Sequence, residues 1–424
     1  MPNSGWGVNK MAATVQDAYQ ERLNRILDAV ALKVPDRVPV LLLNHFHAAK
    51  HGNITLKEAY YDPEKWYQAN KKMLLELQPD LYQAPWLLIN PGEAMNALDF
   101  KQIKWPGHGI PEDHTFQFVE DEYMKPEEYD ALLDDPSDFA VRTYLPRICG
   151  SLESFKTLPP LKAFITGYIG FGVTAAYAQP EVIAAFESLA KAGREYLKYI
   201  EKEQEFYKEM AEFPFWGVAA GLVPFDLISD MLRGMRGSML DMYRSPDKLL
   251  EAQEKLYPMI IESAIVNSKI NNTQFVFMPL HRGADGFMSN KQFERFYWPF
   301  LKKLIEDTID AGLIPYVFFE GGYNERLEYL KELPKGKIIA QLDTTDLFKA
   351  KEVIGDMHCI AGNMPVSLLQ TGTPEKVKDY AKKMIDVAGR DGGFIMSSRG
   401  VLDEADPELV KVWVDFTKEY GVYK

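Results

Sequence analysis

The stretch from Ile314 to Gly400 repeats one pattern four times: a short apolar run ends in a polar residue, and an amphipathic segment usually follows. The four runs are IPYVFFEGG, KIIAQLD, HCIAGNM and GFIMSSRG. Apolar runs of this length, separated by amphipathic helices, are typical of buried parallel strands in βα units. A ring of such strands brings its carboxyl ends to one face, where enzymes of this architecture place their sites. The pattern therefore predicts a fold and the location of a site.

Four further apolar runs lie upstream, and they are RVPVLLL, DLYQAPWLL, FWGVAAGLVPF and TQFVFMPLHRG. Eight strands joined by helices predict the α/β class and a (β/α)8 TIM barrel, which we assign to residues 36–424 as a single domain. The regular alternation stops between 90 and 212, which predicts an insertion after the second strand, over the barrel mouth. A doubly wound open sheet is the alternative, but no GxGxxG motif follows any strand.

The first 35 residues are interpreted as a frayed tail and an amphipathic helix at 15–33 that leads to the barrel. Met11 is an alternative start to Met1. This N-terminus lacks the charged and apolar regions of a signal peptide. The uncharged stretch 163–179, AFITGYIGFGVTAAYAQ, is rich in Gly, Thr and Tyr, so we expect a buried strand, loop and helix rather than a membrane span.

Composition excludes some classes of partner. The chain has 48 Lys and Arg against 61 Asp and Glu, a net charge of -13, and no basic stripe, so nucleic acid is not an expected partner. Its two cysteines cannot form a disulfide framework, which is typical of a reducing compartment. A cytoplasmic protein that acts on a small molecule, without a membrane, is the expectation. Cys359 lies inside an apolar run and is interpreted as a buried thiol.

Glu320 ends the fifth predicted strand, between Phe318-Phe319 and Gly321-Gly322. Glycines let a backbone approach a ligand closely and permit positive φ. Partial desolvation favours the protonated form of a carboxyl group, and this is how a general acid is made near neutral pH. The pattern therefore indicates a catalytic acid, and a capping or ion-paired glutamate is the alternative.

His45 and His47 flank Phe46 at the end of the first strand. Residues two apart in a strand share a face, so both imidazoles would point the same way. Together with Glu320 they would form a two-histidine, one-carboxylate site for a divalent metal such as zinc. The alternatives are catalysis or substrate binding by one histidine without a metal, and a structural role.

The remaining candidates also lie at predicted strand ends. Arg282 is a candidate clamp for a carboxylate or phosphate, and an ion pair with Asp285 is its alternative. Asp343 is a candidate catalytic group, and capping of the next helix is its alternative, although Thr344, Thr345 or Asp346 could cap that helix instead. Asn363 suits a turn, and Arg399 follows two serines and suits an anionic group. The residues that we assign to substrate binding are Asn44, Trp86, His281, Arg282, Asp285, Asn363 and Arg399.

Several phrases resemble the uroporphyrinogen decarboxylase superfamily, which includes that decarboxylase and zinc-dependent, corrinoid-linked methyltransferases. The phrases are PDRVPVLLL, GLVPFDLISDMLRG, ADGFMSNKQFERFYWPFLKKL, LDTTDLFKAKEVIGDMHCIAGNMPVSLLQTGTPEKVKDYAKKMI and GGFIMSSRGVLDEADPELV. They cover roughly residues 36–88 and 215–420. The resemblance implies a TIM barrel, a corrinoid carried by a partner protein, and methyl transfer or decarboxylation.

This chain departs from both functional residue sets of the superfamily. Trp86 stands where the decarboxylases have an acidic residue, and Arg399 stands where they have a histidine. Asn44-His45-Phe46-His47 replaces their arginine-rich stretch, so decarboxylation of uroporphyrinogen itself is not expected. Phe318-Phe319-Glu320 and Ser398-Arg399 replace the His-x-Cys and Cys of the methyltransferases' zinc site.

Three functions remain open from the sequence. The first is a corrinoid-linked methyltransferase or demethylase that acts on a small O-methylated donor, with Glu320 protonating the leaving group. The second is a cofactor-free decarboxylase or lyase on a small aromatic or carboxylic acid, held by Arg282 and Arg399. The third is a ligand-binding barrel without catalysis. The aromatic segment FERFYWPF leaves room for a homodimer interface.

Overall fold

The computed structural model describes the backbone of residues 5–424 and the side chains from residue 14 onward. Met1 and Met11, the alternative starts, lie outside the described side chains. All eight predicted strands are present, although several are shorter than their apolar runs. They are β1 (Leu41–Leu42), β2 (Leu81–Gln83), β3 (Phe215–Trp216), β4 (Phe275–Leu280), β5 (Ile314–Phe319), β6 (Ile339–Leu342), β7 (Cys359–Met364) and β8 (Phe394–Ser398).

The strands pair in parallel with their neighbours in the chain. One sheet has the order β1-β2-β3 and the other the order β4-β5-β6-β7-β8. Single parallel bridges, Val40 with Met396 and Ala220 with Phe277, join the two sheets at both edges. Eight parallel strands therefore form a ring, and the TIM-barrel prediction is confirmed.

Side chains alternate between the inside and the outside of the ring because successive residues of a strand point to opposite faces. Phe275, Phe277 and Phe318 lie in the cluster that fills the barrel. Val276 and Phe319 pack outward against the helices. Glu320 follows Phe318 by two residues, so it continues the inner face upward into the mouth.

The helices alternate with the strands as predicted. Pro63 separates the helices Leu56–Tyr61 and Pro63–Leu77, because proline cannot donate the backbone hydrogen bond that a continuous helix needs. The Asp62 side chain instead accepts from the Lys65 amide and begins a second helix. The α-helices are Gly5–Val30, Ala48–Gly52, Leu56–Tyr61, Pro63–Leu77, Gly92–Leu98, Tyr129–Asp134, Pro136–Phe139, Leu145–Ile148, Pro180–Glu209, Pro224–Leu227, Gly234–Arg244, Pro246–Asn271, Asn290–Gln292, Trp298–Asp310, Leu347–Ile354, Val366–Thr371, Pro374–Met384 and Pro407–Tyr420.

The first helix packs against the residues inside the barrel. Leu23, Ile26 and Val30 belong to the same buried cluster as the inward side chains of the strands. Arg25 is buried beside them and pairs with Asp80 at 2.6 Å, just before β2. Because Asp80 precedes its strand, this helix covers the end of the barrel opposite the strands' carboxyl ends.

The insertion between β2 and β3 divides into two parts. A small sheet of Ile103–Pro106, Gly109–Ile110 and Gln117–Phe118 reaches the barrel mouth. The long helix Pro180–Glu209 instead packs outside the ring, beside Gly92–Leu98. Only the first part therefore lies at the mouth.

The uncharged segment 163–179 is not buried, and that expectation was wrong. It lies within 3-10 turns at Leu161–Ala178, in which no residue is buried. Its glycines interrupt regular packing, and large apolar side chains such as Ile165 and Tyr168 are exposed. None of the helices among residues 5–424 has the length and apolar character that a membrane crossing requires.

Candidate active site

A cavity of about 470 Å³ opens at the carboxyl ends of β4, β5 and β6, and we call it the mouth cavity. A volume of this size suits a small organic molecule. Its walls come from the strand ends, from the segment after β3 and from the first part of the insertion. The lining residues are Gln102, Phe118, Val119, Glu120, Tyr123, Ser229, Asp230, Met231, His281, Arg282, Ala284, Phe287, Glu320, Gly321 and Asp343.

His281 joins two carboxylates in this cavity. Its Nδ1 contacts the Asp230 carboxylate, and its Nε2 lies 3.7 Å from Oε2 of Glu320. Burial alone would lower the pKa of His281, but the hydrogen bond to Asp230 and the charges of Asp226, Asp230 and Glu320 raise it to about 9. The imidazole is therefore protonated at neutral pH.

Asp226 holds the backbone after β4 in place. This fully buried carboxylate accepts from the amides of His281 at 3.1 Å and Arg282 at 2.9 Å, and from the Tyr297 hydroxyl at 2.6 Å. Burial raises its pKa to about 6, against the opposing effects of the His281 charge and the Tyr297 hydrogen bond. Hydrogen bonds to a carboxylate are stronger than neutral ones, so Asp226 fixes the position of His281.

Glu320 projects into the mouth cavity with 53% of its side chain exposed. Desolvation by the cavity walls, together with the charges of Asp343 and Asp230, raises its pKa, while His281 and Arg282 oppose this effect. The direction agrees with the sequence expectation of a general acid. The physical origin is the crowding of acidic groups as well as apolar surroundings.

Asp343 lies next to Glu320 and is free of the capping role that was its alternative. Asp346 caps the next helix, because its Oδ1 accepts from the amides of Phe348 and Lys349. Asp343 accepts instead from the Gly321 amide at 2.8 Å, and burial raises its pKa. Gly321 has φ of 88°, and a Cβ there would lie 3.1 Å from the Ala284 Cβ, so glycine is needed at this approach.

The guanidinium of Arg282, the candidate clamp for an anion, is already bonded to groups of the protein itself. It donates to the Ser229 hydroxyl and to Oδ1 of Asp230, each at 2.9 Å, and lies over the Phe287 ring. The ion pair with Asp285, which was the alternative to an anion clamp, is not formed, because Arg282 pairs with Asp230. The Asp285 carboxylate instead accepts from the Glu325 amide at 3.2 Å and lies 3.6 Å from the Arg326 guanidinium.

His45, His47 and Glu320 are not brought together as a metal site. β1 ends at Leu42, so the two histidines lie in a turn and do not share a strand face. His45 pairs with Asp403 at 2.8 Å, whereas His47 points away to His51 at 3.2 Å. Burial, with the charges of His51 and Lys50, lowers the pKa of His47 to about 3.

Among the described side chains, no group of three or more His, Cys, Asp or Glu is arranged to hold a metal ion. The predicted two-histidine, one-carboxylate arrangement is therefore absent from this part of the chain. His45 and His47 are also outside the set of residues that line the mouth cavity.

Three other candidates are buried and do not line the mouth cavity. Asn44 accepts from the Gln83 amide at 3.0 Å and so links β1 to β2. Trp86 packs edge-on against Phe206. Asn363 lies within β7 rather than in a turn, and donates to the carbonyls of Asp343 and Thr345 at 3.0 and 2.9 Å. These two hydrogen bonds hold the backbone of Asp343 and Thr345 in position.

Arg399 is half-buried at the end of β8, behind Asp343. Its charge lowers the pKa of Asp343, against the larger effect of burial. It does not line the mouth cavity, so its effect on the cavity is electrostatic. Cys359 is fully buried in β7, as expected.

Sequence reasoning missed Asp226 and Asp230, which organise this site. Both lie in the segment after β3, four residues apart, so they share one face of a helical turn. That spacing, directly after a predicted strand end, was a usable signal. The cavity residues from the insertion, such as Glu120 and Tyr123, carry no comparable pattern.

The pKa of His281 provides a test of this geometry. In Asp230→Asn we expect the pKa to fall from about 9 toward the ordinary value of 6.5, because the anionic partner is removed. Histidine proton resonances followed by NMR against pH measure this change. Unaltered titration of the His281 signal would contradict the arrangement, and the signals of the other six histidines provide the internal control.

The same pKa shift links stability to pH. A raised folded-state pKa means that the charged form of His281 stabilises the fold. That contribution is fully present below pH 6.5 and is lost as the pH rises through about 9. The Asp230→Asn variant should lose this part of the pH dependence of unfolding.

A ring of parallel strands with a cavity at their carboxyl ends defines the class of βα-barrel enzymes. Residues 172–420, more than half of the chain, match the family model for uroporphyrinogen decarboxylase (URO-D). The chain therefore belongs to the uroporphyrinogen decarboxylase family, and the resemblance inferred from its sequence is confirmed.

Two curated relatives are uroporphyrinogen decarboxylases. That of Chlorobium phaeobacteroides is 25% identical over 202 residues, which cover 42% of this chain and 54% of that protein. That of Syntrophotalea carbinolica is 27% identical over 210 residues, covering 47% and 58%. This chain thus spans about half the length of the curated relatives it matches.

A solved structure similar to this one is a methyltransferase from Methanosarcina mazei. The TM-score is 0.59 at 16% sequence identity, and the match covers 93% of this chain and 98% of that chain. At this level of identity the likeness concerns the fold. It supports the barrel architecture along nearly the whole chain.

Proposed function

We propose that this protein transfers a methyl group from a small O-methylated donor to a corrinoid carried by a partner protein. The observation that carries the proposal is the triad of Asp230, His281 and Glu320 at the mouth cavity. It places a protonated imidazole and a carboxyl group with a raised pKa beside a space that suits a small molecule. The corrinoid is inferred from the superfamily resemblance, and the fold of the Methanosarcina mazei methyltransferase is compatible with it.

The size of the mouth cavity determines what binds where. Its 470 Å³ accommodates a small donor but not a corrinoid macrocycle with its side chains. The macrocycle would therefore stay outside the cavity, held by its own protein, and would supply the methyl-accepting nucleophile from there. Phe118, exposed at the edge of the small sheet, is suited to contact an apolar face there.

Loss of a methyl group from an ether oxygen needs a proton, because an alkoxide or phenoxide is a poor leaving group. A reduced corrinoid supplies the nucleophile that accepts the methyl group. As the carbon–oxygen bond breaks, the oxygen keeps the electron pair and takes a proton from Glu320. The resulting Glu320 carboxylate, which is more than half exposed, is stabilised by protonated His281 3.7 Å away and then regains its proton from solvent. Asp230 stabilises the charged imidazole between turnovers.

The charge of the cavity disfavours a polycarboxylate substrate. Glu120, Asp230 and Asp343 line it, and the two cationic residues of its lining, His281 and Arg282, both already pair with Asp230. Each carboxylate of an anionic substrate would meet these charges without a free cation opposite it. A neutral ether avoids this repulsion, which favours demethylation over decarboxylation of an acid.

A defined assay tests the proposal. The purified protein is incubated with chemically reduced cobalamin and a panel of small methyl ethers, and the demethylated product is measured by mass spectrometry. We expect product only when protein and reduced cobalamin are both present. Ethyl ethers of the same alcohols are the matched controls, because transfer to an ethyl carbon is slower.

Two other results would contradict methyl transfer. Carbon dioxide released from aromatic or carboxylic acids without any corrinoid would favour the decarboxylase or lyase. Tight binding of ethers or acids with no turnover in either assay would indicate a ligand-binding barrel.

A further inference from the structure

The outer face of the helix Pro180–Glu209 carries a regular stripe of exposed apolar or small residues. They are spaced alternately by three and four residues, which is the repeat of a helix that packs against another helix. The opposite face of the same helix packs on the protein through Ala185, Ala192, Tyr199 and Phe206. The exposed stripe, which we call the seam, consists of Ile183, Phe186, Ala190, Gly193, Leu197 and Ile200.

The preceding segment Leu161–Ala178 extends this apolar surface. The exposed fractions of Ile165, Tyr168 and Ile169 are 86%, 83% and 77%. The segment meets the seam where Tyr177 stacks on Phe186, with ring centroids 6.3 Å apart. Continuous exposed apolar surfaces on soluble proteins mark interaction sites.

The aromatic segment FERFYWPF, which suggested a dimer interface from sequence, is not available for this purpose. Phe293, Phe296, Tyr297 and Trp298 are all buried in the chain's own core. A dimer therefore requires another surface, and the seam has the necessary features.

We propose that the seam pairs with the seam of a second copy of this chain in an antiparallel, two-fold arrangement. The small residues Ala190 and Gly193 lie at its centre, and a Cβ added at Gly193 would meet open space. Two helices can therefore approach closely there. In this register Ala190 faces the second copy's Gly193, Phe186 faces its Leu197, and Ile183 faces its Ile200.

Charges that flank the seam complement each other in the same register. Glu187 and Arg194 lie on one side of the stripe and are exposed, and neither forms an ion pair within the described chain. The two-fold axis would bring Glu187 beside the second copy's Arg194, twice per dimer. Shifting one helix by a heptad would instead bring Arg194 beside the second copy's Arg194. The like charges would repel each other, so the charges select one register.

Sedimentation velocity of the full-length chain tests the proposal, and a dimer is expected. Gly193→Glu should give a folded monomer, with an unchanged circular dichroism spectrum, because glutamate favours an exposed helix more than glycine does. Ile270→Glu is the matched control. Ile270 is 73% exposed on the helix Pro246–Asn271, away from the seam, so this variant should remain a dimer.

A charge exchange tests the register. Glu187→Arg and Arg194→Glu should each increase the dimer dissociation constant, and the double variant should restore it. A monomeric wild-type chain at every concentration, or an undiminished dimer in Gly193→Glu, would overturn the proposal. So would co-sedimentation of a monomeric wild-type chain with phospholipid vesicles, because the apolar surface would then serve a lipid partner.

Discussion

Glu320→Gln is expected to lower kcat of the proposed demethylation by ~10²–10⁴-fold, the usual contribution of a general acid. Glutamine keeps the shape of the side chain but has no proton to give to the departing oxygen. The fold should be retained, because Glu320 is more than half exposed at the mouth. Turnover of methyl ethers by the variant, compared with its circular dichroism spectrum, measures both effects.

Glu325→Gln provides the matched control. Glu325 is a more exposed carboxylate on the same loop and does not line the mouth cavity. Its substitution should leave turnover unchanged and should remove only the weak contact with Lys349. Wild-type rates in Glu320→Gln would remove the general acid from the mechanism, and equal losses in both variants would point to the charge of the loop.

Arg233→Met is expected to destabilise the protein by ~3–5 kcal/mol, because it leaves a buried charge without its partner. Arg233 and Asp241 are both almost fully buried and pair at 2.6 Å. The same guanidinium donates to the Met124 carbonyl, and Asp241 also accepts from the Tyr129 hydroxyl. This network attaches the insertion to the helices that follow β3.

Chemical denaturation of Arg233→Met measures the loss, and the double variant Arg233→Met/Asp241→Leu is its control. Replacing both members of a buried pair by apolar residues is often far less costly than removing one. The double variant should therefore recover much of the stability. Equal stability of the wild type and Arg233→Met would mean that the pair does not hold the insertion.

The eight strands were predictable because each is an apolar run with a sharp polar end, and parallel strands buried on both faces need such runs. Glu320, His281, Arg282 and Asp343 were predictable for the same reason, since strand ends in a barrel converge on one face. The course of residues 90–212 was not predictable. Its packing depends on contacts distant in sequence, such as Arg233 with Met124.

The same reasoning failed where a strand ended earlier than its apolar run. His45 and His47 were assigned to one face by the two-residue strand period, but the chain turns after Leu42 and sends them in different directions. For Asn363 the error was the reverse, because the strand continues further than predicted. Asn363 was assigned to a turn but lies within β7, where its side-chain amide donates to the Asp343 carbonyl and supports that loop.

The sequence alone determined the barrel, its working face and the family of this protein, because apolar periodicity and local phrases are properties of neighbouring residues. Only the tertiary structure decided which strand-end residues act together. The repeated pattern after Ile314 supplied Glu320 and Asp343, while Asp226 and Asp230 reached His281 from more than fifty residues away in the chain. The protonation of His281 is set by that spatial proximity, since the field of a carboxylate depends on distance in space and not on separation along the chain.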